Sequence, residues 1–445
     1  MKKTLWFFVM AAMLFAFFAG CSKSNEQKPQ SNEVVIMGNA RMYAGEDEAW
    51  EELARDFEAE TGIKLTIRWQ GKWNEVPQNM SAAKLAGEKV DLVTVGAGLI
   101  NSIVARSGSL MDISELMEPY RSRFKDGMLD SYTIGGRLWG FPYGNSAAGF
   151  IYYNKTMFDE LGIAPPKTFE ELVAASNTIK QKKNIIPLIF RGKDASYWSN
   201  LFFTTFAQTT GNKPIEYTQD FLAGTRSFNS PEEIAGLEAI KRFFDAGVLT
   251  SDSLDTNGDG MKAAFLQQKA AMMHTHNFQL LQSQAPDFEL GILEFPIMVP
   301  GSFSQPFGGP GTGIAVPSFA DRDNIPNTMK FIEFMLRPEN ANKVIACYKP
   351  VVDVVKGVQV VDDPNVKFLN DVLIPKTVTY LDWIWPAEVN AAVYQVIPAI
   401  ISGRMTSAQG AQTVQDALDR IIAENDYSYE WWKNWNDSDW KKVTP

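Results

Sequence analysis

Val34-Val35-Ile36-Met37, then Asp47-Glu48-Ala49-Trp50-Glu51-Glu52-Leu53-Ala54-Arg55-Asp56-Phe57, then Ile63-Lys64-Leu65-Thr66-Ile67-Arg68-Trp69 decide how this chain folds. The first run is continuously apolar, which suits a strand. In the second, Trp50, Leu53, Ala54 and Phe57 recur at i, i+3, i+4 and i+7, one face of a helix. Gly62 stands where such a helix should stop. In the third, Ile63, Leu65, Ile67 and Trp69 alternate as in a half-buried strand. Strand, helix, strand in this order is a βαβ unit.

The same alternation continues outward. Asp91-Leu92-Val93-Thr94-Val95 reads as a buried strand ending in Gly96-Ala97-Gly98. Thr168-Phe169-Glu170-Glu171 reads as a capping box opening a helix, with Pro165-Pro166 just before it. Ser230-Pro231-Glu232-Glu233 reads as another, its helix ending at Gly247. Between them, Asn184-Ile185-Ile186-Pro187-Leu188-Ile189-Phe190 has the composition of a strand. Alternating elements predict an α/β architecture with mostly parallel sheets.

At the other extreme of the chain, Met1-Lys2-Lys3 precedes an apolar run from Leu5 to Ala19, then Gly20-Cys21. That run is shorter than the roughly 18 residues of a spanning helix. The pattern is a lipoprotein signal peptide over 1–20, with Cys21 as the lipidated mature N-terminus. Phe18 stands where Leu is usual, and an uncleaved membrane anchor is the alternative. Residues 21–33 are polar and read as a flexible tether. Losing Lys2 and Lys3 takes Lys and Arg from 42 to 40 against 52 Asp and Glu, a net charge of −12. A chain this acidic, without basic blocks, is a poor binder of nucleic acid. At about 425 residues the mature chain is too long for one core and suits two lobes. Only two cysteines occur. With Cys21 acylated, Cys347 has no disulfide partner and reads as a small buried hydrophobe.

Catalytic and cofactor signatures are missing: there is no GxGxxG after a strand, P-loop, GxSxG, HExxH or CxxC. Gly308-Gly309-Pro310-Gly311-Thr312-Gly313 is interrupted by proline and reads as a flexible crossover or ligand-facing loop. His274 and His276 would share one face of a strand, but no third metal ligand stands nearby, so a histidine donating into a cleft is expected. Asp255-Thr256-Asn257-Gly258-Asp259-Gly260 opens like a calcium loop, yet Leu266 occupies the position that needs a bidentate Glu. A turn and helix cap is expected there instead. No cofactor and no metal are predicted.

The positive signal is aromatic. Asp194-Ala195-Ser196-Tyr197-Trp198-Ser199-Asn200 and Asp382-Trp383-Ile384-Trp385-Pro386-Ala387-Glu388 set large rings beside polar groups, outside any clean amphipathic period. Sugars offer apolar C–H faces and hydroxyls, which such pairs match.

Several stretches together resemble the solute-binding lipoproteins of ABC sugar importers, the group that includes maltose-binding protein. They are Phe57-Glu58-Ala59-Glu60-Thr61-Gly62-Ile63-Lys64-Leu65, Gly136-Arg137-Leu138-Trp139-Gly140-Phe141-Pro142 and Gly149-Phe150-Ile151-Tyr152-Tyr153-Asn154-Lys155. Further on come Pro166-Lys167-Thr168-Phe169-Glu170-Glu171-Leu172, Phe265-Leu266-Gln267-Gln268-Lys269-Ala270-Ala271-Met272, Gly311-Thr312-Gly313-Ile314-Ala315-Val316-Pro317 and Gly403-Arg404-Met405-Thr406-Ser407. The resemblance runs from about Val34 to Glu424.

It implies a two-lobed periplasmic-binding-protein fold with hinge crossovers and an interlobe ligand cleft. The first lobe would comprise 34–146 plus 309–362, the second 147–308 plus 363–445. Crossovers would fall near Asn145 to Ala148 and Phe307 to Gly311. Implied ligand-binding positions are Arg41, Tyr43, Glu46, Gly98, Asn145, Asp194, Tyr197, Trp198, His276, Asn277, Phe307, Trp383, Trp385, Glu388 and Asn390. Trp198 and Trp385 would stack on the sugar, while Asp194, Glu388 and Asn145 would bond its hydroxyls. His276-Asn277 departs from the family, which often has Trp there, and implies another sugar or orientation. The Trp-rich tail from Trp431 to Trp440 exceeds the family pattern and is expected to pack on the second lobe. The implied function is capture of a mono- or oligosaccharide, without chemistry, by an extracytoplasmic, lipid-anchored monomer that delivers it to a membrane permease. An extracytoplasmic glycoside hydrolase, or a receptor for peptides or polyamines, are the alternatives.

Overall fold

The computed structural model describes residues 32–38, 45–70, 75–99, 105, 107–276, 287–345, 354–359, 362–425 and 431–445. Cys21, most of the tether, Arg41, Tyr43, Asn277 and Cys347 lie outside them, as does the side chain of His276. Within the tether's expected range, Glu33 already belongs to the first strand.

The opening βαβ unit forms as its pattern dictates. Strand β1 (Glu33–Gly38) pairs in parallel with β2 (Lys64–Trp69), Val34 opposite Leu65 and Ile36 opposite Ile67. Helix α1 (Glu46–Thr61) buries Trp50, Leu53 and Phe57. It stops at Gly62, whose positive φ lets its N–H return to the Glu58 carbonyl at 2.8 Å. Strand β3 (Leu92–Gly96) joins β1, also in parallel.

Two long strands then carry the chain between lobes. Strand β4 (Phe141–Asn154) is buried along its whole length. Downstream, β5 (Ile186–Ile189), β6 (Ala270–His276) and β7 (Leu290–Glu294) precede β8 (Phe307–Ala315), and the two-residue β9 (Val378–Thr379) ends the set. The sheet runs β2-β1-β3-β8-β4-β6-β5, with β7 on β4 and β9 on β8. It is mixed and not mostly parallel, because β8 runs antiparallel to both β3 and β4, and β4 antiparallel to β6 and β7. Residues 308–313 are therefore ladder and not loop. Gly309 faces Ser146 and Thr312 faces Gly144, so a register shift leaves Pro310 outside the pairing, where its missing N–H costs nothing.

Two main cores flank this sheet. One holds Val34, Trp50, Phe57, Leu92, Phe141, Ile314 and Phe331. The other holds Ile151, Phe158, Leu188, Phe202, Leu237, Phe243, Val393 and Val414. It is built on helices α2 (Trp198–Thr209), α3 (Pro231–Asp245), α4 (Ala387–Ile401) and α5 (Ser407–Asn425). The architecture is the two-lobed α/β fold that the sequence implied. Thr168 forms its capping box with Glu171. Ser230 occupies its cap position, but its hydroxyl turns back to the Ser227 carbonyl instead of capping.

The expected seat of the tail is corrected. Trp431 and Val443 belong to the first core, and Trp431, Trp435 and Trp440 surround Trp139 with ring centroids 5.9, 5.9 and 6.2 Å away. The Asp112 N–H donates to the Val443 carbonyl at 2.7 Å, closing the final helix α6 (Asp437–Val443) onto that lobe. The first lobe offers an aromatic surface around Trp139, whereas α4 and α5 already cover the second.

Candidate functional site

The C-terminal ends of β1 and β3 point to one edge, where the chain turns into α1 and into the short helix Ala97–Leu99. In doubly wound sheets that edge is where ligands collect. Glu46 opens α1 there and is 3% exposed, a carboxylate favoured by the helix N-terminus. Gly98 lies on the turn after β3.

Strands β4 and β8 bring a second set of groups to the same region. Asn145, 2% exposed, directs its amide N–H to the Met128 sulfur at 3.6 Å, while its Oδ1 is buried without a hydrogen-bond partner. The register continues Ala147, Gly308, Thr379 across β4, β8 and β9. The Thr379 hydroxyl is likewise buried and unpartnered.

The next residues form a 3-10 turn, Leu381–Trp383, that presents Trp383 toward the first lobe. The five-membered end of its ring lies against Gly98 and the six-membered end against Gly311, with Tyr380 4.8 Å away between centroids. Asp382 points the opposite way. Its Oδ2 accepts from the Ser199 hydroxyl at 3.3 Å and the Tyr394 hydroxyl at 3.4 Å, and its backbone carbonyl accepts from Asn390 Nδ2 at 2.9 Å. These bonds are long, and Oδ1 has none, so burial pushes the carboxyl up to about 6. Asn390 Oδ1 is also buried and unpartnered.

Asp194 and Tyr197 share one cation. The Arg191 guanidinium lies 3.6 Å from the Tyr197 ring centroid and pairs with Asp194 Oδ2 through Nε at 2.6 Å. The same oxygen accepts from the Gly258 N–H at 2.9 Å. Residues 255–260 thus serve as turn and cap: Asn257 Oδ1 accepts from Gly260 N–H and opens the helix Gly258–Leu266. Among the described residues no three His, Cys, Asp or Glu side chains are placed to hold a metal ion.

Several sequence expectations change here. Trp198 and Trp385 are each 1% exposed and belong to the second core. Trp385 packs against Phe203, Phe221 and Phe228 and donates to the Thr218 hydroxyl at 3.3 Å, so neither ring has a face left for a sugar. Phe307 is buried against Phe203, 5.2 Å between centroids. Glu388 is exposed in the first turn of α4. His274 does not face a cleft: it is buried between Phe190 and Phe295, both ring nitrogens unpartnered. The residues brought together are Gly98, Asn145 and Trp383, joined by Gly311, Thr379 and Asp382. Sequence reasoning missed these last three because the pairing of β8 with β9 and the reversed direction of Asp382 are tertiary facts. The dipeptide Asp382-Trp383 was the available signal.

A family profile described as bacterial extracellular solute-binding protein matches residues 52–368. The melibiose/raffinose/stachyose-binding protein MelE of Bacillus subtilis is 24% identical over 354 residues, covering 77% of this chain and 79% of that protein. The multiple sugar-binding protein of Streptococcus mutans is 23% identical over 331 residues, covering 71% and 74%. Among solved structures, a chitin oligosaccharide binding protein superposes with TM-score 0.75 at 20% identity, over 88% of this chain and all of the other. RafE in complex with raffinose superposes with TM-score 0.68 at 20% identity, over 87% and 99%.

Proposed function

The chain belongs to the bacterial extracellular solute-binding proteins, and from that premise we propose that it captures a neutral mono- or oligosaccharide between its lobes. The observation that carries this is the company Trp383 keeps. A half-buried indole stands at the crossover, where Asn145 Oδ1 on β4 and the Thr379 hydroxyl on β9 are buried without a hydrogen-bond partner. A buried acceptor left unpaired costs about 1–3 kcal/mol. A sugar relieves that cost with its hydroxyls and covers the indole with its C–H face. Asp194 and Tyr197, held by Arg191, would line the second-lobe side, with Glu46 and Gly98 on the first. The carbohydrate names of the relatives support this choice of ligand class.

The lobes would close on the sugar about the middles of β4 and β8, and the closed form would deliver it unchanged to an ABC permease. Lipid on Cys21 would hold the protein, as an extracytoplasmic monomer, at the membrane surface. Titration with melibiose, raffinose, stachyose and chitin oligosaccharides tests the reading. At least one should change tryptophan fluorescence and raise Tm, by about 2.7 kcal/mol of stabilisation at a hundredfold excess over Kd. No response to any of them, with a response to peptides or polyamines, would overturn it.

A further inference from the structure

Trp383 is bracketed along its whole length. A β-carbon added to Gly98 would stand 2.6 Å from the indole Cδ1 and 2.9 Å from Cγ, at the five-membered end. One added to Gly311 would stand 2.6 Å from Cη2 and 3.0 Å from Cζ2, at the six-membered end. Carbon atoms prefer roughly 3.5–4.0 Å, so alanine at either place would move the ring by about 1 Å. Neither glycine has a positive φ. Backbone conformation therefore does not require glycine at these two positions; the ring does.

The three residues come from different parts of the fold. Gly98 sits on the first-lobe turn after β3, Gly311 in the register shift of the crossover strand β8, and Trp383 on the segment that enters the second lobe through α4. From behind, Asp382 ties that segment to α2 through Ser199 and to α4 through Tyr394. Backbone thus lies close against the ring at both ends, and Asp382 fastens the segment that carries it.

We propose that Gly98 and Gly311 are positioning residues for Trp383, fixing the depth and tilt at which its face meets a sugar at the crossover end of the cleft. This rests on the reading that the cleft takes a sugar stacked on Trp383. A platform fixed at both ends selects sugars by how far a ring reaches into the crossover, and a shift of about 1 Å would spoil the near contacts that stacking needs.

The test is a double-mutant cycle with Gly98→Ala, Trp383→Ala and their combination, using raffinose and melibiose as probes in calorimetric titration and Tm as a second readout. Gly98→Ala should weaken the better-bound sugar at least tenfold and lower Tm. Trp383→Ala should weaken it as much or more. The double variant should bind no worse than Trp383→Ala alone and should regain the Tm lost to Gly98→Ala, because the clash leaves with the ring. Gly311→Ala should repeat the pattern from the other end. Binding by Gly98→Ala within twofold of wild type, or losses that multiply in the double variant, would overturn the proposal. If the wild-type protein binds neither of these sugars, nor stachyose nor chitin oligosaccharides, the stacking reading is what fails. The seat is then judged on Tm alone: recovery in the double variant upholds it, and no Tm loss in Gly98→Ala sinks it.

Discussion

The Arg137 guanidinium lies over the ring of Trp440, 4.3 Å from its centroid, while the same group pairs with the buried Asp112 carboxylate. Asp112 in turn donates its backbone N–H to the Val443 carbonyl. A cation, a carboxylate and an aromatic ring thus fasten the C-terminal helix to the first lobe. Trp440→Ala should cost roughly 3 kcal/mol, the low end for removing a large aromatic, because the ring is only partly buried. Urea unfolding measures this. Sugar affinity should change far less than in Trp383→Ala, and an equal loss in both would mean that the tail belongs to the binding site.

His274 should make the protein acid-sensitive. Burial without any partner lowers its pKa from 6.5 to about 3. Below pH 6.5 the unfolded chain takes up a proton that the folded chain refuses, so stability falls as pH drops from 6.5 toward 3. The slope is about 1.4 kcal/mol per pH unit. Above pH 6.5 the residue contributes no pH dependence. His274→Leu should remove that component, seen as a shallower decline in unfolding free energy between pH 6.5 and 4 than wild type shows.

Glu233 has the opposite sign. It is buried at the start of α3, and burial raises its pKa to about 7. Between pH 4.5 and 7 the folded chain keeps a proton that the unfolded chain has lost. Stability therefore falls as pH rises through that window and stays lowered above it. Glu233→Gln should be the more stable protein at pH 8 by on the order of 3 kcal/mol, with the advantage shrinking toward pH 4.5. Thermal melts at pH 5 and pH 8 would show it, and equal gains at both pH values would refute the titration account.

The proposed anchoring through Cys21 has a direct readout. Cells fed labelled palmitate should label the wild-type chain and not Cys21→Ser, and the variant should leave the membrane fraction. A Cys21→Ser protein that stays in that fraction would point to retention by the signal segment instead.

Much of the fold could be read in the sequence because its signals were local. The apolar alternation around Val34 and Ile67, the stop at Gly62 and the capping box at Thr168 each depend on neighbours within one turn or strand. Ser230 failed for a physical reason: its hydroxyl turns back to donate to the Ser227 carbonyl, and its oxygen accepts from no helix N–H. The glycine-rich run 308–313 looked like a loop because nothing local reveals that β3 and β4 will pair with it from either side. The site was legible in outline and not in detail. Trp383 and Trp385 sit two residues apart in similar surroundings, and only the cluster of Phe203, Phe221 and Phe228 decides that Trp385 turns into the core. The same blindness misplaced the tail, whose partner Trp139 is remote in sequence.

That tail also sets a timetable for the chain's own assembly. The first core includes both Val34 and Val443, so the lobe whose first strand is made early cannot be finished until Val443 has been made. Among the described residues, the second core runs from Ile151 to Ile421. Contacts of such long sequence separation form slowly. The lobe made first should therefore be the lobe completed last, and its unfinished aromatic surface around Trp139 is what an interrupted or truncated chain would leave uncovered.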